Sequence, residues 1–405
     1  MTAAVFSNPY RPGAGHMPPH LAGRAKEFQE FERLLAQDII LENMVLTGLR
    51  GVGKTVLLDA FKPRAFANGW LWVGTDLSES ASVSEESMAI RLLADLAVAT
   101  STVTIAVSPK PAAGFSGDAG PSRVPLSHAV LRAVYDEEPG LVSDKLRAVL
   151  KFAWQHLRVA ERSHVIFAYD EAQNLSDNKA RDQYPLSVLL DVFQSIQKQD
   201  IPFLLVLTGL PTLLPKLVEA RTFAERMFHV VTLGRLDEND SREAIQKPIQ
   251  VAACPVAFGS ESVQVITKES GGYPYFIQFI CREVFDVFIQ QTTQGATPQP
   301  VPIEAIQVKL DTDFFAGRWA RATDRQRQLL WVIASLDRED EEFTIQEIVE
   351  RCKETLPKPF SPSHANQMLV SLGEQGLIYK NRFGKYSFAV PLLGKFILRT
   401  YEPPT

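Results

Sequence analysis

Cysteine is scarce: Cys254, Cys281 and Cys352 are the only three in 405 residues. They stand far apart without the paired spacing of a metal site, and an odd number leaves at least one unpaired. Neither a disulfide framework nor a zinc module organises this chain, and reduced thiols are expected. Long apolar runs are also missing. None is long enough to cross a bilayer and the first residues lack a signal-peptide apolar segment, so the cytoplasm is the expected compartment and a membrane is not an expected partner. Nor is there an excess of positive charge. The 42 Lys and Arg against 47 Asp and Glu leave a net charge of −5, so the molecule as a whole is not a general nucleic-acid binder, and any DNA contact must come from a local patch. The length is a prior for two or three domains with ample core.

Against these absences stands one dense motif. Gly48-Leu49-Arg50-Gly51-Val52-Gly53-Lys54-Thr55 follows directly on the apolar run Met44-Val45-Leu46. A strand therefore feeds a glycine-rich loop and then a helix, the context of a nucleotide-phosphate cradle. Gly48, Gly51 and Gly53 let the backbone curl so that several N–H groups point at one anion, and the helix adds the positive end of its dipole. Lys54 is expected to reach the β- and γ-phosphates of ATP and Thr55 to ligate Mg²⁺. The expected nucleotide contacts thus run from Gly48 through Val56.

The second half of such a site belongs on another buried strand. Val165-Ile166-Phe167-Ala168-Tyr169 has no polar face, as expected of a parallel strand covered on both sides, and it ends in Asp170-Glu171. Carboxylates at the C-terminal end of a central strand face a ligand crevice. Asp170 is placed in the Mg²⁺ shell, and Glu171 is placed to orient and deprotonate the attacking water.

Along the chain, Asn8 to Gly13 is a proline-stiffened lead-in, and an amphipathic helix follows through Phe28, Phe31, Leu34 and Leu35. A strand is predicted at Trp70 to Val73. Ser82 with Glu85 forms a capping-box signature for a helix through Met88, Ile90, Leu93 and Leu96. Ser108 to Pro125 is rich in Gly, Pro, Ser and Ala and reads as a long surface loop. A helix over about Ser143 to Ala160 leads to the acidic strand. Leu186, Leu189, Leu190, Phe193 and Ile196 then mark a helix with one buried face, and Phe203 to Thr208 is the next buried strand. This alternation predicts an α/β fold, a P-loop NTPase parallel sheet with helices on both faces. From Asp237 to about Ala316 the pattern is helical.

The succession Leu21-Ala22-Gly23-Arg24, the phosphate loop, Asp170-Glu171-Ala172-Gln173, Leu207-Thr208-Gly209 and a helical lid resembles the AAA+ ATPases. Within them it is most similar to the origin-recognition-like prokaryotic group and to signal-transducing NTPases of the archaeal ATPase type. The resemblance covers nearly the whole chain. It implies a sensor-1 role for Thr208, with a threonine that merely finishes a strand as the plainer alternative. It also implies an arginine finger at Arg226, with Arg221 as the competitor and a surface pair to Glu225 as the plain alternative. Gly271-Gly272-Tyr273-Pro274-Tyr275-Phe276 resembles the glycine-proline motif of the signal-transducing group, which puts Pro274 at the nucleotide. Where many relatives have the sensor-2 arginine, this chain has Tyr275. Arg282, two helical turns on, is a possible substitute or a solvated side chain.

Beyond about Arg318 three helices are predicted: one through Leu329, Leu330, Ile333 and Leu336, one capped by Thr344 with Glu347, and one capped by Ser361 or Ser363 through Ala365, Met368, Leu369 and Leu372. A hairpin around Arg382-Phe383-Gly384-Lys385 completes a winged helix-turn-helix. From Ser361 to Arg399 there are five basic residues, Lys380, Arg382, Lys385, Lys395 and Arg399, against the single acid Glu374. The third helix carries His364, Asn366 and Gln367 as base-reading candidates but no lysine or arginine, so one copy should bind duplex DNA weakly. A winged helix that docks a protein partner is the alternative. The expected domains are 1–235, an ATPase core, 236–316, a helical lid, and 317–405, a winged helix. The chain is expected to be an ATP-hydrolysing, nucleotide-dependent homo-oligomeric switch acting on DNA or a DNA-bound partner. The alternative is a slow signalling scaffold that holds a protein. A site that has become purely structural is disfavoured by the intact Lys54 and Glu171.

Overall fold

The computed structural model describes residues 7–403 apart from 14, 79–82, 108–121, 296–299, 337–340 and 382–383. The strands are β1 (Asn43–Gly48), β2 (Leu71–Val73), β3 (Thr104–Val107), β4 (Ser122–Pro125), β5 (Val165–Tyr169), β6 (Phe203–Gly209), β7 (Phe228–Leu233), β8 (Ile378–Lys380) and β9 (Tyr386–Phe388). Contacts divide the chain into two compact units. One holds Ala25–Thr47 and Leu57–Thr232; the other holds Met1–Arg24, Gly48–Val56 and Leu233–Thr405.

The first unit is built on a five-stranded sheet in the order β2-β5-β6-β1-β7. The pairs β2–β5, β5–β6 and β6–β1 are parallel. Every residue of β1, β5 and β6 is buried, which is why these strands read as unbroken apolar runs. At the edge, β7 alternates buried and exposed positions instead. A buried amide pair fixes where β1 meets β6: Leu205 N–H donates to Asn43 Oδ1 at 2.7 Å, and Gln197 Nε2 donates to Asn43 Oδ1 at 2.8 Å and to Phe203 O at 2.7 Å. A one-residue slip would strand these groups in the core, so the network specifies register. Beneath the sheet, Phe167 meets Phe193 edge-on at 5.1 Å, and Phe193 belongs to a helix (Pro185–Gln197) buried on nearly all sides rather than on one face.

Three sequence expectations change here. The helix expected from Ser82 is Glu85–Thr100, and its cap is Ser84, which accepts from Ser87 N–H; Ser82 lies outside the described residues. Its core face is Met88, Leu92, Leu93 and Leu96, while Ile90 is exposed. The stretch 108–125 is not loop throughout, since Ser122–Pro125 pairs antiparallel with Thr104–Val107. Residues 108–121 lie outside the described residues.

The second unit is mainly helical. Helices span Glu238–Val251, Ser260–Ser270, Pro274–Thr293 and Ile303–Leu310, followed by a π-helical turn, Asp311–Phe315. Helices Asp324–Ala334, Ile345–Thr355 and Pro362–Glu374 come next, then the antiparallel β8–β9 pair and a last helix, Leu393–Thr400. Their starts follow the capping rules: Thr323 with Gln326 and Thr344 with Glu347 form capping boxes, and Ser361 accepts from His364 N–H. The N-terminal lead-in is anchored in this unit. Tyr10 is buried, donates its hydroxyl to Ile245 O and stacks on Phe258 at 5.9 Å, and Asn8 Nδ2 donates to Arg282 O at 2.9 Å. Among the described residues no helix is long and apolar enough to cross a membrane.

Candidate nucleotide site

The glycine-rich loop starts at Gly48, the last residue of β1, and ends where the helix Lys54–Ala67 begins. Gly51 and Gly53 sit at φ +79° and +90°, a region that side-chain-bearing residues rarely enter. Glycines in that region let a loop curl so that successive N–H groups can face one anion. Lys54 folds across the loop, its Nζ donating to Gly48 O at 3.0 Å and Leu49 O at 2.9 Å. Arg24, buried at the end of the Leu-Ala-Gly-Arg segment, donates Nη2 to Val52 O at 2.9 Å and to Gly234 O at 3.1 Å. It braces the loop from below, a role that nothing in its local sequence marks. Gly15 of the lead-in passes beside Thr55, where a Cβ on the glycine would lie 3.3 Å from Thr55 Cγ2. Pro274 is the first residue of its helix, and the next N–H, from Tyr275, donates to Gly51 O at 3.1 Å. The Pro274 turn and the loop are thus joined by a backbone hydrogen bond.

In the sheet unit, the parallel neighbours β1, β6 and β5 bring the strand ends carrying Thr47, Thr208 and Asp170 to one edge. The registers Leu46↔Thr208 and Tyr169↔Leu207 fix that alignment. Asp170 is buried, and its backbone extends the sheet: Asp170 N–H donates to Thr75 O at 3.2 Å and Leu77 N–H to Asp170 O at 2.9 Å. Glu171 adopts φ +50°, ψ 34° and donates its N–H to Asp170 Oδ1 at 2.8 Å. A non-glycine residue held in the left-handed region stores strain of about 1–3 kcal/mol, and such strain gathers at functional positions. Thr208 is fully buried and its Oγ1 has no hydrogen-bond partner among the described residues; the same holds for Thr47 Oγ1. An unsatisfied buried hydroxyl costs about 1–3 kcal/mol.

Gln173, two residues past Glu171, holds the acidic pair in place. Its Nε2 donates to Glu171 Oε2, its Oε1 accepts from Leu210 N–H at 3.0 Å, and its carbonyl accepts from Lys216 Nζ at 2.7 Å. The side chain ties the Glu171 carboxylate to the exit of β6. Burial pushes the Lys216 ammonium below its ordinary range.

The arginines separate clearly. Arg221 forms a two-pronged pair with Asp191, Nε to Oδ1 at 2.8 Å and Nη2 to Oδ2 at 2.6 Å, and also donates to Ser187 Oγ at 2.9 Å. The hydrogen bonds to Asp191 are the main reason its pKa is raised. Arg226 is exposed on the short helix Ala224–Met227 and makes no ion pair among the described residues, with Glu225 or any other acid. Arg282 is exposed on the helix Pro274–Thr293.

The Walker-type ATPase PABY2304 of Pyrococcus abyssi superposes with a TM-score of 0.57 at 16% identity, covering 93% of this chain and 96% of its own. The ADP form of the ORC2 protein of Aeropyrum pernix superposes with a TM-score of 0.53 at 13% identity, covering 96% of this chain and 97% of its own. The chain has the P-loop fold of the AAA+ ATPases. Within that fold, residues 312–397 match a family profile described as a domain of unknown function (DUF8462). The sequence matches none of the curated proteins. The AAA+ fold accounts for the parallel order β5-β6-β1, with the glycine-rich loop on β1 and the acidic pair on β5.

Proposed function

We propose that this chain is a regulatory ATPase, a nucleotide-dependent homo-oligomeric switch with an ATPase core over 1–235, a helical lid over 236–316 and a winged helix over 317–405. The observation that carries the reading is the parallel order β5-β6-β1, which gives one sheet edge the glycine-rich loop's strand, a buried threonine and an acidic pair. The donors suit ATP and Mg²⁺. The loop's glycines bend the backbone toward an anion, Lys54 carries a cation across it, and the Thr208 hydroxyl is a buried group in search of a partner. Mg²⁺ takes few protein ligands and completes its shell with phosphate and water, and Thr55 and Asp170 are the ligands proposed for it. When bound, it neutralises charge on the phosphates. Glu171 accepts the proton of the attacking water, Thr208 orients that water or the γ-phosphate, and Pro274 fixes the lid turn against the loop.

Arg226 is the proposed finger, since it is exposed while Arg221 is held by Asp191. If it acts on a neighbouring subunit, mixing Arg226→Ala with Lys54→Ala protein restores part of the hydrolysis that each lacks alone, because one supplies the pocket and the other the arginine. Native mass measurement must show mixed oligomers in the same sample. No recovery in their presence removes Arg226 from the role.

Duplex DNA or a DNA-bound partner is one target for the C-terminal residues. A second reading, a protein partner, is favoured by how their polar groups are engaged. Tyr386 donates its hydroxyl to Asn366 Oδ1 at 3.0 Å, Lys385 Nζ lies 3.7 Å from Glu342 Oε2, Arg399 pairs with Asp311, and Lys380 lies over the Tyr386 ring. Arg382 lies outside the described residues. DNA titrated at low salt with ATP decides between them. A DNA reader binds, and alanine at Lys380, Arg382 and Lys385 flattens its log–log salt dependence by roughly two to three units, one per lost phosphate contact. A protein-docking module shows no binding.

A further inference from the structure

Two consecutive carbonyls of the glycine-rich loop are held by groups outside it, and a peptide unit is rigid. In a trans peptide the C=O and the N–H lie in one plane and point to opposite sides, so whatever fixes a carbonyl also aims the N–H of the same unit. No described peptide bond is cis. Arg24 Nη2 donates to Val52 O at 2.9 Å and to Gly234 O at 3.1 Å, and the Tyr275 N–H donates to Gly51 O at 3.1 Å. These contacts set the Gly51–Val52 and Val52–Gly53 peptides. The Val52 N–H therefore points away from Tyr275, and the Gly53 N–H points away from the Arg24 guanidinium.

Neither of these N–H groups donates to an acceptor among the described residues. Val52 is only 1% exposed, and a buried backbone N–H without an acceptor is rare. Consecutive N–H groups left unpaired in a glycine-rich turn are the donors of an anion-binding concavity. Lys54 also holds loop carbonyls, Gly48 O and Leu49 O, but its ammonium is expected to leave them for phosphate. Arg24 is buried, and its second bond ties Val52 to Gly234, one residue past β7. The backbone there has little play. A Cβ on Gly48 would lie 2.5 Å from Leu233 O, and the Leu236 N–H donates to Gly272 O at 2.8 Å. One charged nitrogen thus fixes the Val52 carbonyl to a segment that is itself held, and bonds from a charged donor are the strong ones.

We infer that Arg24 is a positioning residue for phosphate binding: by holding the Val52 carbonyl it presets the Gly53 N–H toward a phosphate of a bound nucleoside di- or triphosphate, without touching that phosphate itself. This rests on the reading of the loop as a nucleotide site. Donors that are already oriented need no reordering when the anion arrives, which is where preorganisation gains affinity. All the residues involved belong to one compact unit.

The test follows one peptide in the full chain. The dipeptide Val-Gly occurs only at Val52-Gly53 and Val73-Gly74. Carbonyl-labelled valine with nitrogen-labelled glycine in a perdeuterated chain therefore yields two correlated NMR signals, one for the loop and one for reference. With Mg²⁺ and saturating ADP the Gly53 amide proton should move downfield as it bonds phosphate, while Gly74 stays. Without nucleotide, Arg24→Ala should move the Val52 carbonyl carbon upfield, the mark of a lost hydrogen bond. The same variant should lack the downfield move of Gly53 even at saturation. Calorimetry should show it binding ADP and a non-hydrolysable ATP analogue about 10- to 100-fold more weakly, the worth of a hydrogen bond to a charged group. Arg24→Lys should recover part of each effect, because it keeps the charge without the planar geometry. A full Gly53 shift in Arg24→Ala would overturn the inference even if affinity fell, since Arg24 would then only brace the fold. Affinities within about twofold of the unmodified chain would overturn it too. Should Arg24→Ala not fold, the unmodified chain still decides: a Gly53 amide that stays in place while calorimetry records ADP binding sinks this inference alone. If the unmodified chain binds neither nucleotide, the nucleotide reading fails with it.

Discussion

Lys54→Ala is expected to lose ATP binding, whereas Glu171→Gln is expected to bind ATP normally and hydrolyse it about 10²- to 10⁴-fold more slowly. The two substitutions divide the site into its binding and chemical halves. Lys54 contributes a cation whose Nζ now rests on two loop carbonyls, Gly48 O and Leu49 O, and can turn from them to phosphate without moving the backbone. Removing it takes away the point charge expected at the β- and γ-phosphates. Glu171 lies in the other unit, just past the end of β5, where its carboxylate accepts from Gln173 Nε2. Glutamine keeps its size and can still bond Gln173 but cannot accept a proton from water. Equilibrium binding of a fluorescent ATP analogue and single-turnover phosphate release, measured on both variants, separate the effects. Equal hydrolysis by Glu171→Gln and the unmodified protein would remove Glu171 from its role; tight ATP binding by Lys54→Ala would remove the loop.

Much of this architecture was legible because it is local. The run Val165 to Tyr169 is buried throughout as its composition predicts, and the glycine-rich loop lies between strand and helix as its pattern requires. Thr344 and Ser361 cap the helices expected of them, since a cap is decided by residues three apart. The failures were also local but ambiguous. Serines alternate from Ser78 to Ser84, and the one that caps is set by the turn that puts Met88, Leu92 and Leu96 into the core, which selects Ser84. Four-residue strands such as Ser122–Pro125 have too little pattern to stand out beside glycine and proline. What sequence could not provide were partners distant along the chain. Asn43 meets Gln197, Tyr10 meets Ile245, Arg24 meets Gly234, and Arg221 meets Asp191. Each is a polar residue whose role depends on a group that only folding brings near. The competition between Arg221 and Arg226 could be narrowed only by seeing which one a carboxylate already holds.

Gly74→Ala is expected to destabilise the sheet unit by roughly 3–5 kcal/mol, combining backbone strain with a clash that cannot relax. Gly74 follows β2 at φ +123°, and a Cβ there would lie 1.8 Å from Ala168 O, inside β5. No side chain is at fault that could swing away, because the obstructing atom is backbone. Either β2 separates from β5 or β5 shifts, and both outcomes reach the chemistry. Asp76 bridges to Asp170 just beyond, and Asp170 N–H is held by Thr75 O at 3.2 Å. The acidic pair is therefore positioned by the same backbone approach that requires glycine. Gly69→Ala supplies the comparison: it also has positive φ, +77°, but nothing lies within 4 Å of its would-be Cβ. That variant should lose only the left-handed penalty of about 1–2 kcal/mol. Urea unfolding monitored by tryptophan fluorescence ranks the two, since Trp70 precedes β2 and Trp72 lies within it. The folded fraction of Gly74→Ala should also lose hydrolysis more than nucleotide binding, because the displaced group is Asp170 rather than the loop. Equal stability of the two alanine variants would show that the β2–β5 contact at Ala168 is not a fixed part of the fold.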